Sequence, residues 1–356
     1  MRSTGLTCVD LFSGVGGFSE GFRQAGIETL AAVDNDPHVA RAYHQNFPEV
    51  PLVEGDLYLT TTKNRLLEVL GGRSVDVVVG GPPCQGFSIF GKRRFVNTKS
   101  YDPKSDERND LVLAFANTVA LLKPSWVVME NVPGIITLDE GEYLKSVIQK
   151  FKELGFNKVE CAILNAASYG VPQVRRRLVL IAQKGTHIVP WPKEKFFDTP
   201  KGWQRPFRTV AEALTDLQYL SGDQISHHAP PKHHALVARR YSYVKQGEKL
   251  DPDSLPPDLL KGLKTGRDLK SYSKVHYRLH PERPSPTIVP GHNAFPIHPW
   301  LDRTLTIREA ARLQTLPDRF EFFGPVINRG LQVGNAFPPL LAQVIAERLA
   351  RVVRNG

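Results

Sequence analysis

The run Gly81-Pro82-Pro83-Cys84-Gln85-Gly86-Phe87-Ser88 sets a thiol directly after two prolines. Prolines fix φ and remove N–H donors, so the cysteine stands on backbone with little freedom left to lose. A thiol placed that way is a candidate nucleophile; a buried structural cysteine is the competing reading. Glu130, in Met129-Glu130-Asn131-Val132-Pro133-Gly134, offers a carboxyl able to hydrogen-bond and protonate a ring nitrogen of a bound base. Its plainer reading is a helix cap or a solvated acid. In Gln173-Val174-Arg175-Arg176-Arg177, strand alternation puts Gln173, Arg175 and Arg177 on one face and Arg176 on the other. Paired guanidiniums suit a carbonyl oxygen or a phosphate, and would help keep a neighbouring thiol ionised. A solvated basic edge strand is the alternative.

These groups need a scaffold that brings distant sequence together. Apolar runs at 7–12, 29–33, 75–79, 126–129, 158–164 and 177–182 alternate with helical stretches, which predicts a doubly wound α/β sheet. Cys84 and Glu130 then follow the carboxyl ends of strands, where open α/β sheets hold their ligands. The turn after the first strand, Gly14-Val15-Gly16-Gly17, lacks the third glycine of a dinucleotide fingerprint, because position 19 is Ser. It still lets backbone approach a ligand closely, with Phe12 able to stack on an adenine. Asp34, ending the second strand, suits ribose hydroxyls, and Asp56 suits an adenine amino group. Together they predict an adenosine-containing cofactor.

A net charge of +10 and a pI near 9.5 call for a polyanionic partner. Three well-separated cysteines fit a reduced, cytoplasmic protein and exclude a disulfide scaffold. No apolar run is long enough for a bilayer, and the N-terminus reads directly into a strand without a signal peptide. Beyond residue 182 the texture changes: nine of eleven histidines fall between 183 and 300, and over 183–284 basic residues outnumber acidic ones by 18 to 11. The expected division is a catalytic domain, 1–182 plus 330–356, and a loop-rich, basic domain, 183–329. Thr306 to Glu309 spells a capping box opening a helix that Pro317 stops, and a final amphipathic helix starts near Pro338 and packs back on the first domain. Residues 91–109 carry Lys92, Arg93, Arg94, Lys99, Lys104 and Arg108, predicting a mobile basic loop that closes over the polyanionic partner. His227-His228 and His233-His234 invite a metal reading, but Pro230-Pro231 separates the pairs and no cysteine is near, so no metal is expected.

At this point the motifs resemble those of the cytosine-5 DNA methyltransferases of bacterial restriction–modification systems. Asp10 to Gly17 is similar to that family's S-adenosylmethionine loop, Pro82-Pro83-Cys84-Gln85 to its catalytic motif and Glu130-Asn131-Val132 to its acid motif. Gln173-x-Arg175-x-Arg177 is similar to its paired-arginine motif, and 308–314 and 332–339 to its last two. Phe337 stands where Val or Ile is usual. The resemblance implies a Rossmann-like methyltransferase sheet, with a target-recognition domain in the variable 183–283 stretch. It implies S-adenosyl-L-methionine as cofactor, held by Phe12, Ser13, Gly14, Gly16, Gly17, Asp34, Asn35, Asp56, Pro82 and Asn335. It implies double-stranded DNA as substrate, met by Gln85, Ser88, Lys92, Arg93, Arg94 and Gln173. Cys84 would add to C6 of a flipped-out cytosine, Glu130 would contact N3 and the exocyclic amine, Arg175 the O2 side, and Arg177 would support the pocket.

Two alternatives stay open on sequence: a same-fold methyltransferase acting on tRNA, and a DNA-binding protein that keeps the fold without catalysis. A basic domain of this size favours duplex DNA, where two grooves must be read. A monomer in the cytoplasm is expected, with a restriction endonuclease sharing its site as a functional counterpart rather than a stable partner.

Overall fold

A computed structural model of the chain describes residues 3–83, 110–185, 188–220, 222–263, 276–291 and 294–355. It divides into two compact units. The first comprises Met1–Asn165, Arg176–Lys193 and Phe337–Gly356; the second comprises Ala166–Arg175 and Glu194–Ala336.

The first unit is built on β1 (Thr7–Leu11), β2 (Glu28–Asp34), β3 (Leu52–Glu54), β4 (Val77–Gly80), β5 (Trp126–Asn131), β6 (Lys158–Asn165) and β7 (Arg176–Gln183). They form one sheet in the order β3-β2-β1-β4-β5-β7-β6. The first five strands pair in parallel, and β7 runs antiparallel to both β5 and β6. The reversal follows from chain length, because a parallel return needs a crossover of a dozen or more residues and Asn165 to Arg176 is too short. Val77, Val78, Val79, Val127, Val128 and Met129 are fully buried, as strands covered on both faces must be.

Helices α1 (Gly17–Gln24), α2 (Pro37–Asn46), α3 (Thr60–Leu70), α4 (Asp110–Leu122) and α5 (Glu142–Glu153) belong to the same unit. α2 starts where the sequence says it should: the Asp36 carboxylate accepts from the His38 and Val39 amides, and Pro37 takes the first helical position. Val9, Leu11, Val33, Val78, Phe115, Val127, Phe151 and Leu180 share one core, each such burial contributing about 1.5–3 kcal/mol. The C-terminal helix, Pro339–Asn355, packs on α1. Phe18 stacks on Phe337 at 4.3 Å, and a Cβ on Gly21 would run into Pro339 O and Ala342 Cβ.

The second unit is sparse in regular structure. It contains β8 (Phe196–Phe197) paired with β9 (Arg205–Pro206), and helices α6 (Val210–Leu214), α7 (Ala235–Tyr241), α8 (Pro257–Leu260), α9 (Ile307–Leu313) and α10 (Val326–Asn335). Tyr241, Val244, Leu250, Leu255, Leu259 and Ile297 form a small core. Buried Arg278 ties its loops together by donating to the carbonyls of Tyr241, Val244, His298 and Leu301. The Thr306–Glu309 capping box is present in both directions. α9 ends before Pro317 is reached, however, because Thr315 at φ 62° turns the chain out of the helix. The unit also takes in residues 166–175 and runs on to Ala336, beyond the 183–329 read from composition. Side-chain hydrogen bonds from Gln173 and Arg175, described below, account for that difference.

Candidate active site

Glu130 lies at the end of β5, where its backbone pairs with Val179 across the antiparallel junction with β7. Arg177, two residues along β7, is therefore its diagonal neighbour on the same face, within reach of a long side chain. Arg177 Nε lies 2.6 Å from Glu130 Oε1, with the two side chains 14% and 17% exposed. The two side chains thus form a short, largely dry ion pair. The other carboxylate oxygen faces Gly81: a Cβ there would stand 2.8 Å from Glu130 Oε2. Asn131 Nδ2 donates to Pro82 O at 3.3 Å, tying the proline turn to the end of β5. Gly81, Pro82, Glu130, Asn131 and Arg177 thus meet at the carboxyl edge of the sheet.

The neighbouring strand ends hold the predicted cofactor residues. Leu11 pairs with Gly80, so the turns after β1 and β4 leave the sheet side by side, at the point where strand order reverses. A small, partly open cleft is lined by Phe12, Val33, Asp34, Asn35, Gly55, Asp56 and Leu57. Phe12 holds φ 56°, a left-handed conformation uncommon for an aromatic residue and of the sort concentrated at functional sites. Asp34 Oδ2 accepts from the Gly14 amide at 2.9 Å and Oδ1 from the Asp36 amide at 3.1 Å. Burial pushes the Asp34 carboxyl above its ordinary value, against the pull of those amides. At Gly14, φ is 54° and a Cβ would meet nothing within 4 Å, leaving the backbone open to a ligand. Gly16 and Gly17 are needed differently: a Cβ would strike the Phe47 ring at one and Phe337 O at the other. Ser13 is buried, its amide donating to Val33 O. A slot with an aromatic wall, an uncrowded glycine turn and two carboxylates fits the adenosine part of S-adenosylmethionine.

Other predicted residues go elsewhere. Arg175 precedes β7, so strand alternation does not carry back to it. Its guanidinium is buried in the second unit, donating to Ile288 O, Gly334 O and Ala336 O at 2.9–3.1 Å. Gln173 is equally buried, donating to Leu313 O and Gln314 Oε1 and accepting from the Ile288 amide. Asn335, at the end of α10, is exposed. Each histidine of the two pairs has its own partner: His227 meets Glu321, His228 meets Thr306 and Leu217 O, His233 accepts from the Thr304 amide, and His234 caps α7. Cys84, Gln85, Ser88, Lys92, Arg93, Arg94 and the basic loop lie outside the described residues. Of the other cysteines, burial pushes Cys8 up to about 12 and Cys161 up to about 11, so neither is a ready thiolate.

A family description, C-5 cytosine-specific DNA methylase, matches residues 6–351. This chain belongs to that family. It is a DNA cytosine-5 methyltransferase by membership, and its Rossmann-like sheet is the family's. The Type II methyltransferase M1.HphI of Haemophilus parahaemolyticus is 37% identical over 355 residues, spanning 98% of this chain and 88% of the relative. The Type II methyltransferase M.DdeI of Desulfomicrobium norvegicum is 30% identical, spanning 98% and 90%. Among solved structures, a putative DNA modification methyltransferase encoded within an E. coli prophage aligns with a TM-score of 0.70 at 26% identity, covering 98% and 99%.

Three residues that stand in this methylase's motifs without a role in the chemistry lie at or beneath the site. Gly81 is set by its closeness to Glu130, a spatial fact with no local signal. Asn131 was quoted in the acid motif without a role. Asp10, inside β1, is fully buried and accepts from the Ser19 amide and hydroxyl at 3.1 and 2.7 Å; that hydroxyl also meets Tyr43. A polar residue interrupting an apolar strand was the available signal. No helix among the described residues is long and apolar enough to cross a membrane.

Proposed function

We propose that this methylase transfers a methyl group to C5 of a flipped-out cytosine at a specific site in duplex DNA, as the modification activity of a restriction–modification system. The observation that carries the reading is the Glu130–Arg177 pair beside the Gly81-Pro82-Pro83 turn that leads to Cys84. Such a site suits a base whose ring must be activated before it can react at carbon. The Cys84 thiolate forms a bond from sulfur to C6, and the C5–C6 π electrons move into the ring toward N3 and C5. Glu130 holds the proton at N3 and accepts from the exocyclic amine, while Arg177 faces the O2 side and keeps the Glu130 carboxylate oriented. S-adenosylmethionine, when bound, supplies an electrophilic methyl group. Once C5 carries methyl, the N3 proton returns to Glu130, and loss of the C5 proton to solvent with cleavage of the sulfur–C6 bond restores the ring and the Cys84 thiolate.

Phe12, Gly14, Asp34, Asn35 and Asp56 would hold the adenosine part of the cofactor, and Ser13, Gly16 and Gly17 would shape that loop. Pro82 and Asn335 stay in the proposal as contacts toward its far end. Arg175 and Gln173 enter as positioning residues, because their polar atoms hold Ile288, Leu313 and the Gly334–Ala336 backbone. The second unit would read the DNA sequence, with Gln85, Ser88, Lys92, Arg93 and Arg94 meeting the target strand. The protein would act as a monomer in the cytoplasm. The test is a duplex substituted with 5-fluorocytosine, where fluorine replaces the proton that must leave. Wild-type protein with cofactor should form a denaturation-resistant adduct and Cys84→Ser none; a wild type that forms no adduct would overturn the covalent mechanism.

A further inference from the structure

Among the described residues of the second unit, packing leaves two aromatic side chains almost wholly in water, Trp203 and Tyr219, and only Trp203 sits among basic residues on a hydrogen-bonded turn. Trp203 is 79% exposed, whereas large aromatic residues are normally well covered. Its position is held rather than slack. β8 and β9 pair Phe196 with Arg205 and Phe197 with Pro206, closing a short loop between them. Within it, the Lys201 amide donates to Gln204 Oε1 at 2.9 Å and the Gln204 amide donates back to Lys201 O at 3.1 Å. Gly202 supplies the φ of 58° that such a tight turn needs. Trp203 therefore stands at the tip of a pinned turn, steadied on one side by an edge-on contact with Phe197 at 6.4 Å.

The exposed charges beside it in sequence are mostly basic: Lys195, Lys201 and Arg205 against Asp198 and Glu194. A fixed indole on a predominantly basic segment is poorly matched to a lipid or to an apolar protein face. It matches a polyanion that also offers flat aromatic surfaces. Base–indole stacking supplies the attraction for the ring, and phosphates supply partners for the lysines and arginine.

We propose that Trp203 is a DNA-contacting residue that stacks on a base of the bound duplex, with Lys195, Lys201 and Arg205 on the flanking phosphates. This rests on the reading of the protein as a duplex-DNA methylase. Holding the ring on a pinned turn lowers the ordering cost of inserting it beside a base step.

The test uses the full chain and a labelled duplex carrying the site mapped from methylated DNA. Trp203→Ala should weaken binding roughly 5- to 100-fold, and Trp203→Phe much less, since a phenyl ring still stacks. Wild-type tryptophan emission should be quenched on adding the duplex, and Trp203→Phe should lose that quench. S-adenosylmethionine affinity should be the same in all three proteins. Wild-type protein that methylates DNA alongside a Trp203→Ala protein with unchanged affinity would overturn this inference alone. Wild-type protein that neither binds nor methylates duplex DNA would overturn the parent reading with it.

Discussion

Arg177 Nε sits 2.6 Å from Glu130 Oε1, and the opposite oxygen of the same carboxylate is walled by Gly81. One acid is thus fixed from two sides by residues far apart in sequence. Glu130→Gln keeps the size but loses the charge partner and the proton-holding group. It should lower kcat about 100-fold or more, with S-adenosylmethionine affinity within twofold of wild type. Gly81→Ala should also lower kcat in folded protein, because its new Cβ must displace the carboxylate. Steady-state kinetics with cofactor titration check both, and a wild-type kcat in either variant contradicts the role given to Glu130.

Asp34 braces the Gly14 amide and faces the cleft with Phe12 and Asp56. Charge-assisted hydrogen bonds of this type contribute about 1.5–3 kcal/mol each. Asp34→Ala should therefore weaken S-adenosylmethionine binding by roughly 10- to 100-fold in calorimetry. Unchanged affinity would move the cofactor away from this cleft.

Arg175 and Arg177 should separate in experiment. Arg175→Met leaves three buried carbonyls without their donor and should destabilise the protein by about 3 kcal/mol or more in urea unfolding. Lysine should not rescue it, since a point charge cannot span the three acceptors. Arg177→Lys should mainly lower kcat. An Arg175→Met protein of wild-type stability and no activity would return Arg175 to direct substrate contact.

Burial pushes the Asp10 carboxyl up to about 8, against hydrogen bonds from Ser19 that pull it down. The folded protein then holds a proton that the unfolded chain releases near the ordinary value of 3.8. Stability from this group is complete below about 4 and is lost as pH rises toward 8, at up to about 1.4 kcal/mol per pH unit. Asp10→Asn cannot ionise, so its melting temperature should gain on wild type between pH 5 and pH 8. A constant difference across that range contradicts the assignment.

Sequence made the sheet legible because its central strands are buried and read as largely apolar runs. The acid and the arginine motif were legible for the same reason, as polar residues at strand ends. The destination of each arginine was not. Alternation was extended back to Arg175, but β7 starts at Arg176, and hydrogen bonding to Ile288, Gly334 and Ala336 set the side chain instead. Gly16 and Gly17 read as ligand-facing, and close packing against Phe47 and Phe337 is a separate demand for glycine there that the sequence did not display. Such three-dimensional contacts leave no periodic trace in a single sequence.

The central claim, that Cys84 drives cytosine-5 methylation of DNA, is tested most directly by bisulfite sequencing of DNA from cells expressing the chain or its Cys84→Ser variant. New 5-methylcytosine at one short sequence motif with the wild type, and none with the variant, is the predicted result. Folded wild-type protein that binds S-adenosylmethionine yet leaves cellular DNA unmethylated would contradict it.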